Sequence, residues 1–404
     1  MTTLLTNALL IDGTGAAPVA DAWIRVDGGR IADVGSGPVA ASQQDDETID
    51  LGGQAVIPGL IDMHVHLSHV LPDPEKWGRP TGVYLDHIDQ TINGVIQARR
   101  AIRAGLTTVR DVGCANSSIF TLRDLAARDV ILGPRILAAG KIICMTGGHG
   151  HRTGREANGV DDVRAAAREQ IKAGADLLKV AATGGARGAN ESINSVQLDE
   201  DEMRMAVHEA SKAGMRVASH SHGTAGIKNA IRAGVTTIEH AVKIDDEAAA
   251  MMVDRGTYAV PTLSVYEALV TKGAEKGAEA YAQRKAAEVM QFQRESIARA
   301  LAAGVKIAFG TDSGGPYHPV GGPGVIEREF RLLYQAGFTP GQALESATRV
   351  SAEALGLGDD IGTVEPGKCA DLVVLDGNPM VDVESYSRVA MVFRGGIERK
   401  NSGR

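Results

Sequence analysis

Pro58-Gly59-Leu60-Ile61-Asp62-Met63-His64-Val65-His66 is the stretch where the chain changes character. Pro58-Gly59 is a turn signal, and the apolar run after it ends in two histidines two residues apart. Residues i and i+2 of a strand point to one side, so His64 and His66 are expected to project together near the C-terminal end of a strand. Before this stretch the chain reads as short strands and turns, with Ala22-Trp23-Ile24-Arg25-Val26 followed by the turn Asp27-Gly28-Gly29-Arg30. After it, short β-type runs alternate with longer helical stretches. The eight runs are 59–67, 106–113, 135–140, 176–184, 216–223, 236–241, 258–265 and 306–314. Between them lie stretches with Ala-rich helical faces, such as 93–104, 161–173, 199–213 and 279–303. Gly105, Gly174, Gly214 and Gly304 close several of them, as helix C-caps do. Eight βα units over roughly 300 residues fit a (β/α)8 barrel of the TIM type. The C-terminal stretch returns to strands and turns at 370–376 and 391–396. The expected architecture is therefore α/β, with a (β/α)8 TIM-type barrel over 59–358. Both termini, 1–58 plus 359–404, would form a small β-sandwich domain.

Composition narrows the partners. The 404 residues include 44% hydrophobic and 23% charged positions, an ordinary globular balance. The net charge of −8 argues against nucleic acid or an anionic membrane as partner. Aromatics at 4% leave little with which to stack bases. Cys114, Cys144 and Cys369 are odd in number and widely spaced, which fits a reducing compartment rather than a disulfide framework. No apolar run approaches the ~20 residues that span a bilayer, and no basic, apolar leader opens the chain. A cytoplasmic chain acting on a small molecule is expected.

The strand ends hold the chemistry. His220 closes Val217-Ala218-Ser219-His220, His240 closes Ile238-Glu239-His240, and Asp312 closes Phe309-Gly310-Thr311-Asp312. Barrel active sites lie at the C-terminal ends of the strands, and imidazole and carboxylate are ligands for zinc and similar ions. Lys179 sits in the apolar run Asp176-Leu177-Leu178-Lys179-Val180, where an unpaired lysine is normally avoided. Two chemistries suit it. One is an amine of depressed pKa for Schiff-base formation. The other is a carboxylated lysine that bridges two metals, and four histidines and an aspartate around it favour this second reading, because a free ammonium beside two dications is repelled.

The stretch 58–66 resembles the opening signature of the amidohydrolase superfamily, and Val364-Glu365-Pro366-Gly367-Lys368-Cys369-Ala370-Asp371-Leu372-Val373-Val374-Leu375 resembles its closing segment. The order HxH, Lys, His, His, Asp is similar to that of its binuclear members. Met145-Thr146-Gly147-Gly148-His149-Gly150, Ala182-Thr183-Gly184-Gly185 and Val260-Pro261-Thr262-Leu263 are similar to the prolidase and imidazolonepropionase-related branch. The resemblance implies two divalent ions, for which the residue types fit zinc best. His64, His66 and Asp312 would hold the more buried ion, His220 and His240 the more exposed one, and carboxylated Lys179 would bridge them. It implies attack on an amide C–N bond by a metal-bridging hydroxide, with Asp312 as general acid/base. The substrate would be a dipeptide, Xaa-Pro or related, or an N-acyl amino acid. His149 would contact the scissile carbonyl or a substrate carboxylate. His222 points with His220 by the period-two rule. Relatives often carry Tyr there to bind a carboxylate, so His222 argues against a strict Xaa-Pro preference. Arg152, Arg155 and Arg187 lie on loops expected at the same mouth, where arginine suits carboxylate recognition. His151 and His318 lie near it without an assigned role, and His69, His87 and His208 receive none. Members of such families often form homo-oligomers, but no interface is legible in this chain.

Other readings remain open at this level. The same site could cut a cyclic amide, carbamate, urea or lactone. Lys179 could act as an aldolase-type amine. A barrel without catalysis would serve as a scaffold, although such chains typically lose ligands and none is missing here.

Overall fold

The computed structural model of the chain describes residues 2–39, 47–68, 87–315 and 317–401, and His69 lies outside them. The chain opens with β1 (Thr3–Leu10), β2 (Val19–Asp27), β3 (Arg30–Ser36), β4 (Glu47–Asp50) and β5 (Ala55–Pro58). Among the described residues nine strands follow, separated by helices except that β8, β9 and β10 are consecutive: β6 (Leu60–Val65), β7 (Leu106–Asp111), β8 (Arg135–Ala138), β9 (Ile143–Cys144), β10 (Arg155–Glu156), β11 (Leu177–Ala181), β12 (Arg216–Ser221), β13 (Thr237–His240) and β14 (Tyr258–Val260). The chain closes with β15 (Leu372–Leu375), β16 (Val389–Arg394) and β17 (Ile397–Asn401). It is a mixed α/β protein.

The two ends of the chain meet in one eight-stranded sheet of order β17-β16-β15-β5-β1-β2-β3, with β4 on β1. The join is the antiparallel pairing of β15 with β5, Leu372 opposite Pro58 through Leu375 opposite Ala55. This sheet has a core of its own, in which Leu5, Ile24 and Val56 from the N-terminal strands pack with Leu372, Val374 and Phe393 from the C-terminal ones. Period-two alternation explains the choice: Ala22, Ile24 and Val26 are buried, whereas Trp23 and Arg25 between them are only half-buried.

The middle of the chain forms parallel sheets, β6-β7-β8 and β10-β9-β11-β12-β13-β14. Their strands are buried along nearly their whole length, as expected where helices cover a parallel sheet. Further hydrogen bonds connect the two sheets. The Asp176 amide donates to Ala138 O at 2.9 Å, joining the end of β8 to the start of β11. On the other side, residues 306–314 lie between β14 and β6. Ala259 pairs with Ile307 and Val65 with Ser313, both in parallel sense. The eighth β-type run expected from sequence is therefore present as pairing but too irregular to count as a strand. Asp312 in it has φ 51°, in the left-handed region, which breaks the pleat. The Asp62 carboxylate ties this run to β6, accepting from Thr311 Oγ1 at 2.6 Å and from the Thr311 amide at 3.1 Å.

The helices end as the sequence predicts. Gly105, Gly174, Gly214 and Gly304 all have positive φ, between 68° and 98°, the conformation that stops a helix without a Cβ clash. The helix Glu200–Lys212 starts with a capping box between Asp199 and Glu202. No helix among the described residues is long and apolar enough to cross a membrane, and all three cysteines are free thiols.

Candidate functional site

The side chains singled out from sequence come together. His64, His66, Lys179, His220, His240 and Asp312 line one cavity of about 470 Å³ at the C-terminal ends of the parallel strands. Asp312 Oδ1 lies 3.3 Å from His66 Nε2 and 3.6 Å from His64 Nε2. One donor atom from each of His64, His240 and Asp312 can be chosen so that all lie within 4.8 Å of one another. The ring of His220 is 4.6 Å from that of His240.

Backbone irregularities aim these groups. Pairing of β6 with β7 shifts register between Asp62 and Val65, so the ladder is interrupted at Met63 and His64, the kind of bulge that redirects a side chain. His240 has φ 69° and Asp312 φ 51°. For a non-glycine residue this conformation costs on the order of 1–3 kcal/mol, and here two of the gathered groups adopt it.

Hydrogen bonds orient the rings. His66 Nδ1 is 3.0 Å from Gly113 O, which can only accept, so Nδ1 carries the proton in the neutral ring. His66 Nε2 is then a lone pair facing a carboxylate oxygen at 3.3 Å. Two acceptors face each other in this way only with a proton or a cation between them. His64 Nδ1 lies 2.8 Å from Glu239 Oε2, and His240 Nδ1 lies 2.8 Å from Thr262 Oγ1. Burial pulls His64 down to about 4, with repulsion from Lys179 in the same direction. Burial likewise holds His220 and His240 well below the usual imidazole range.

Among the described residues, neither Lys179 Nζ nor His220 Nε2 of the cavity has a hydrogen-bond partner, and both are buried. An unsatisfied buried group costs about 1–3 kcal/mol, and a charged one more. Burial lowers the Lys179 ammonium to about 8, with Glu239 and Arg110 acting in opposite senses. Orphaned buried nitrogens beside facing lone pairs, in a set of imidazoles and one carboxylate, fit a divalent metal centre.

The surrounding residues divide clearly. His149 lines the cavity, its Nδ1 3.0 Å from Glu191 Oε2 and its ring stacked on His220 at 3.7 Å. His222 lines it too, but both its nitrogens are engaged. Nδ1 is 3.1 Å from Gly184 O and Nε2 is 2.7 Å from the Tyr266 hydroxyl. Since Gly184 O requires a donor, Nε2 accepts from the phenol. Arg152, Arg187 and His151 line the cavity as well, and the Arg187 guanidinium stands 5.6 Å from the centre of the Tyr317 ring. Arg155, expected at the same mouth, does not line the cavity. It pairs with Asp162 at 2.8 Å and Glu169 at 2.9 Å, because it lies in β10 beside the helix Val160–Ala173 that carries both acids. His318 is buried behind the site, its Nε2 3.0 Å from Ser264 Oγ. Sequence reading passed over Arg110, Glu191, Glu239 and Tyr266. The signal that flagged Lys179, a charge inside an apolar strand, is absent for Arg110 and Glu239, whose strands read LTTVRD and TIEH.

The C-terminal ends of the parallel strands thus gather imidazole, carboxylate and lysine side chains, a donor set of the kind that could hold a metal ion. The chain belongs to the amidohydrolase family, whose model matches residues 55–398. It is 30% identical to the ochratoxinase of Aspergillus niger over 99% of this chain and 87% of that protein. It is 26% identical to the imidazolonepropionase of Stenotrophomonas maltophilia (strain R551-3), over 94% and 92%. Among solved structures, a Xaa-Pro dipeptidase with bound methionine in its active site superposes with TM-score 0.90 at 35% identity, covering 98% of this chain and 99% of that one. A prolidase complexed with N-methylphosphonate-L-proline also gives 0.90, at 33% identity and full coverage of both. The protein is an enzyme of this family, whose relatives hydrolyse amide bonds.

Proposed function

We propose that the chain is a binuclear metal-dependent hydrolase that cleaves the amide C–N bond of a dipeptide or N-acyl amino acid. The observation that carries this reading is the unpartnered, buried Lys179 Nζ in the same cavity as four histidines and Asp312. We further infer that the two parallel sheets close into a (β/α)8 barrel over 59–358, supported by the pairing of 306–314 with both β14 and β6.

His64, His66, Lys179, His220, His240 and Asp312 would hold two divalent ions, most suitably zinc, with Lys179 carboxylated to serve as the shared anionic ligand. Such ions polarise a carbonyl and lower the pKa of water toward ~7. The chain's own residues do the rest. Asp312, a carboxylate against His64 and His66, accepts the proton of the attacking water and returns it to the leaving nitrogen. Glu191 takes the Nδ1 side of His149 and leaves Nε2 as its remaining nitrogen. In its charged form the ring donates through Nε2 to the acyl oxygen. Arg152 and Arg187 both line the cavity. They would receive the substrate carboxylate, as arginine does bidentately. The methionine held in the active site of the similar Xaa-Pro dipeptidase supports an amino-acid ligand. His222 has no nitrogen to spare, so its part in substrate binding is to fix the Tyr266 hydroxyl against the cavity.

Glu191→Gln is expected to lower kcat/KM by roughly 10- to 100-fold, the loss of one charge-assisted hydrogen bond of about 1.5–3 kcal/mol. Steady-state kinetics on a variant with unchanged circular dichroism checks it. The function itself is tested by purifying the protein with zinc and bicarbonate and offering pooled dipeptides and N-acyl amino acids, with release of free amino acids read by mass spectrometry. About two metals per chain together with release is the expected result. A metal-loaded protein that cuts no member of the pool would refute the substrate class and send the search to cyclic amides, carbamates, ureas and lactones.

A further inference from the structure

Behind the gathered histidines, inside the ring of strands, lies an ion pair that no step above uses. Arg110 of β7 is 3% exposed and Glu239 of β13 is fully buried. Arg110 Nη2 donates to Glu239 Oε1 at 2.7 Å, and Nη1 donates to Thr237 Oγ1 at 3.0 Å. The two strands are not neighbours in either sheet, so the pair reaches across the interior. A buried ion pair gives little or no net stability over apolar side chains of similar volume. Its partners suggest another purpose. The third Arg110 donor, Nε, reaches Met63 O at 2.5 Å, in the interruption of the β6 ladder. The other Glu239 oxygen, Oε2, accepts from His64 Nδ1 at 2.8 Å. One guanidinium thus holds the backbone immediately before His64 and, through Glu239, the ring of His64 itself.

We infer that Arg110 and Glu239 are positioning residues for the metal centre. Together they fix the bulge that aims His64 and the tautomer that turns its Nε2 lone pair toward Asp312. One feature of β13 agrees with this. Glu239 and His240 are consecutive, so in a regular strand they would face opposite sides. The left-handed φ of 69° at His240 lets both reach the interior.

The inference rests on the metal-centre reading of the proposed function, and zinc binding measured apart from turnover separates the two. Glu239→Gln removes the charge and keeps the shape. Competition of the apoprotein with a chromophoric chelator for Zn²⁺ should show affinity weakened about 10- to 100-fold, the usual loss when the group orienting a metal-bound histidine is removed. The visible spectrum of the Co²⁺-loaded form should change. Asp371→Asn serves as control, because it breaks a part-buried pair with Arg135 of β8 (2.7 Å) beside the terminal sheet. It should shift thermal stability and leave both metal readouts untouched. Arg110→Lys keeps a cation that cannot donate to Met63, Thr237 and Glu239 at once, and it should move affinity in the same direction; it decides the matter if Glu239→Gln does not fold. Zinc affinity and Co²⁺ spectrum equal to the parent's in a folded variant would overturn the positioning role. A parent chain that binds no Zn²⁺ would overturn the metal reading and this inference with it.

Discussion

Replacing Lys179 with methionine is expected to lower kcat/KM by at least about a thousandfold while leaving the thermal stability of the metal-free protein unchanged or higher. The two halves of this result come from one fact, that Nζ is buried with no hydrogen-bond partner. Lys179 is 2% exposed in the middle of β11, whose five residues are all buried. A lone ammonium there is a liability to the fold, and an unbranched apolar side chain of similar length removes it. Activity responds in the opposite way. If Lys179 supplies the anionic ligand shared by two ions, methionine leaves the dications without it. Several kcal/mol of carbonyl polarisation are then lost, and about 4 kcal/mol corresponds to a thousandfold in rate. Metal content on the same sample should fall below that of the parent. The aldolase-type alternative makes a different forecast. Borohydride in the presence of substrate would then trap a covalent adduct on the parent chain, and a metal-stripped parent would stay active. Full activity of Lys179→Met would remove Lys179 from the mechanism altogether.

Much of this clustering was legible because alternating β-type and helical runs place the ends of parallel strands on one side. Once β-type runs alternate with helices, a histidine or aspartate at the end of a run is expected at one common face, and His64, His66, His220, His240 and Asp312 do converge there. The period-two rule correctly set His220 and His222 side by side, with ring centroids 4.5 Å apart. It could not show that the His222 nitrogens would be taken by Gly184 and Tyr266, since both contacts depend on loops and a helix far along the chain. Nor could it show that His240 and Asp312 sit in left-handed conformations. Periodicity assumes a regular pleat, and these sites are made by breaking it. Arg155 failed for a related reason. Its place on a loop was read from neighbours in sequence, whereas Asp162 and Glu169, one helix away, decide where its charge goes. Arg110 and Glu239 are a different matter. Their strands, Leu106–Asp111 and Thr237–His240, carry threonine and other polar residues, so nothing in the sequence set either charge apart, and their pairing across the interior depends on the tertiary fold.

Asp312→Asn is the substitution that best separates binding from chemistry, and its expected effect is a fall in kcat of about 10²- to 10⁴-fold at saturating metal, the usual range for a general acid/base. The backbone makes the experiment clean. Asp312 has φ 51°, and asparagine tolerates the left-handed region better than other non-glycine residues, so the variant should fold as the parent does, whereas alanine would add strain. The amide side chain keeps the size and one coordinating oxygen but cannot take up a proton as the carboxylate does. In the parent, burial works against ionisation, yet hydrogen bonding to His66 and the proximity of His64 hold the Asp312 carboxyl well below the usual range. In the proposed mechanism it would enter the reaction as a base. If it then returns that proton to the leaving nitrogen, the loss should depend on the leaving group. An alkyl amide, whose amine leaves poorly without a proton, should show the full loss, and a nitroanilide or ester of the same acyl group should show much less. Equal losses on both substrates would mean that Asp312 acts only as a ligand, and that the proton reaches the leaving group from another residue at the cavity, with His149, stacked on His220 at 3.7 Å, the first to test.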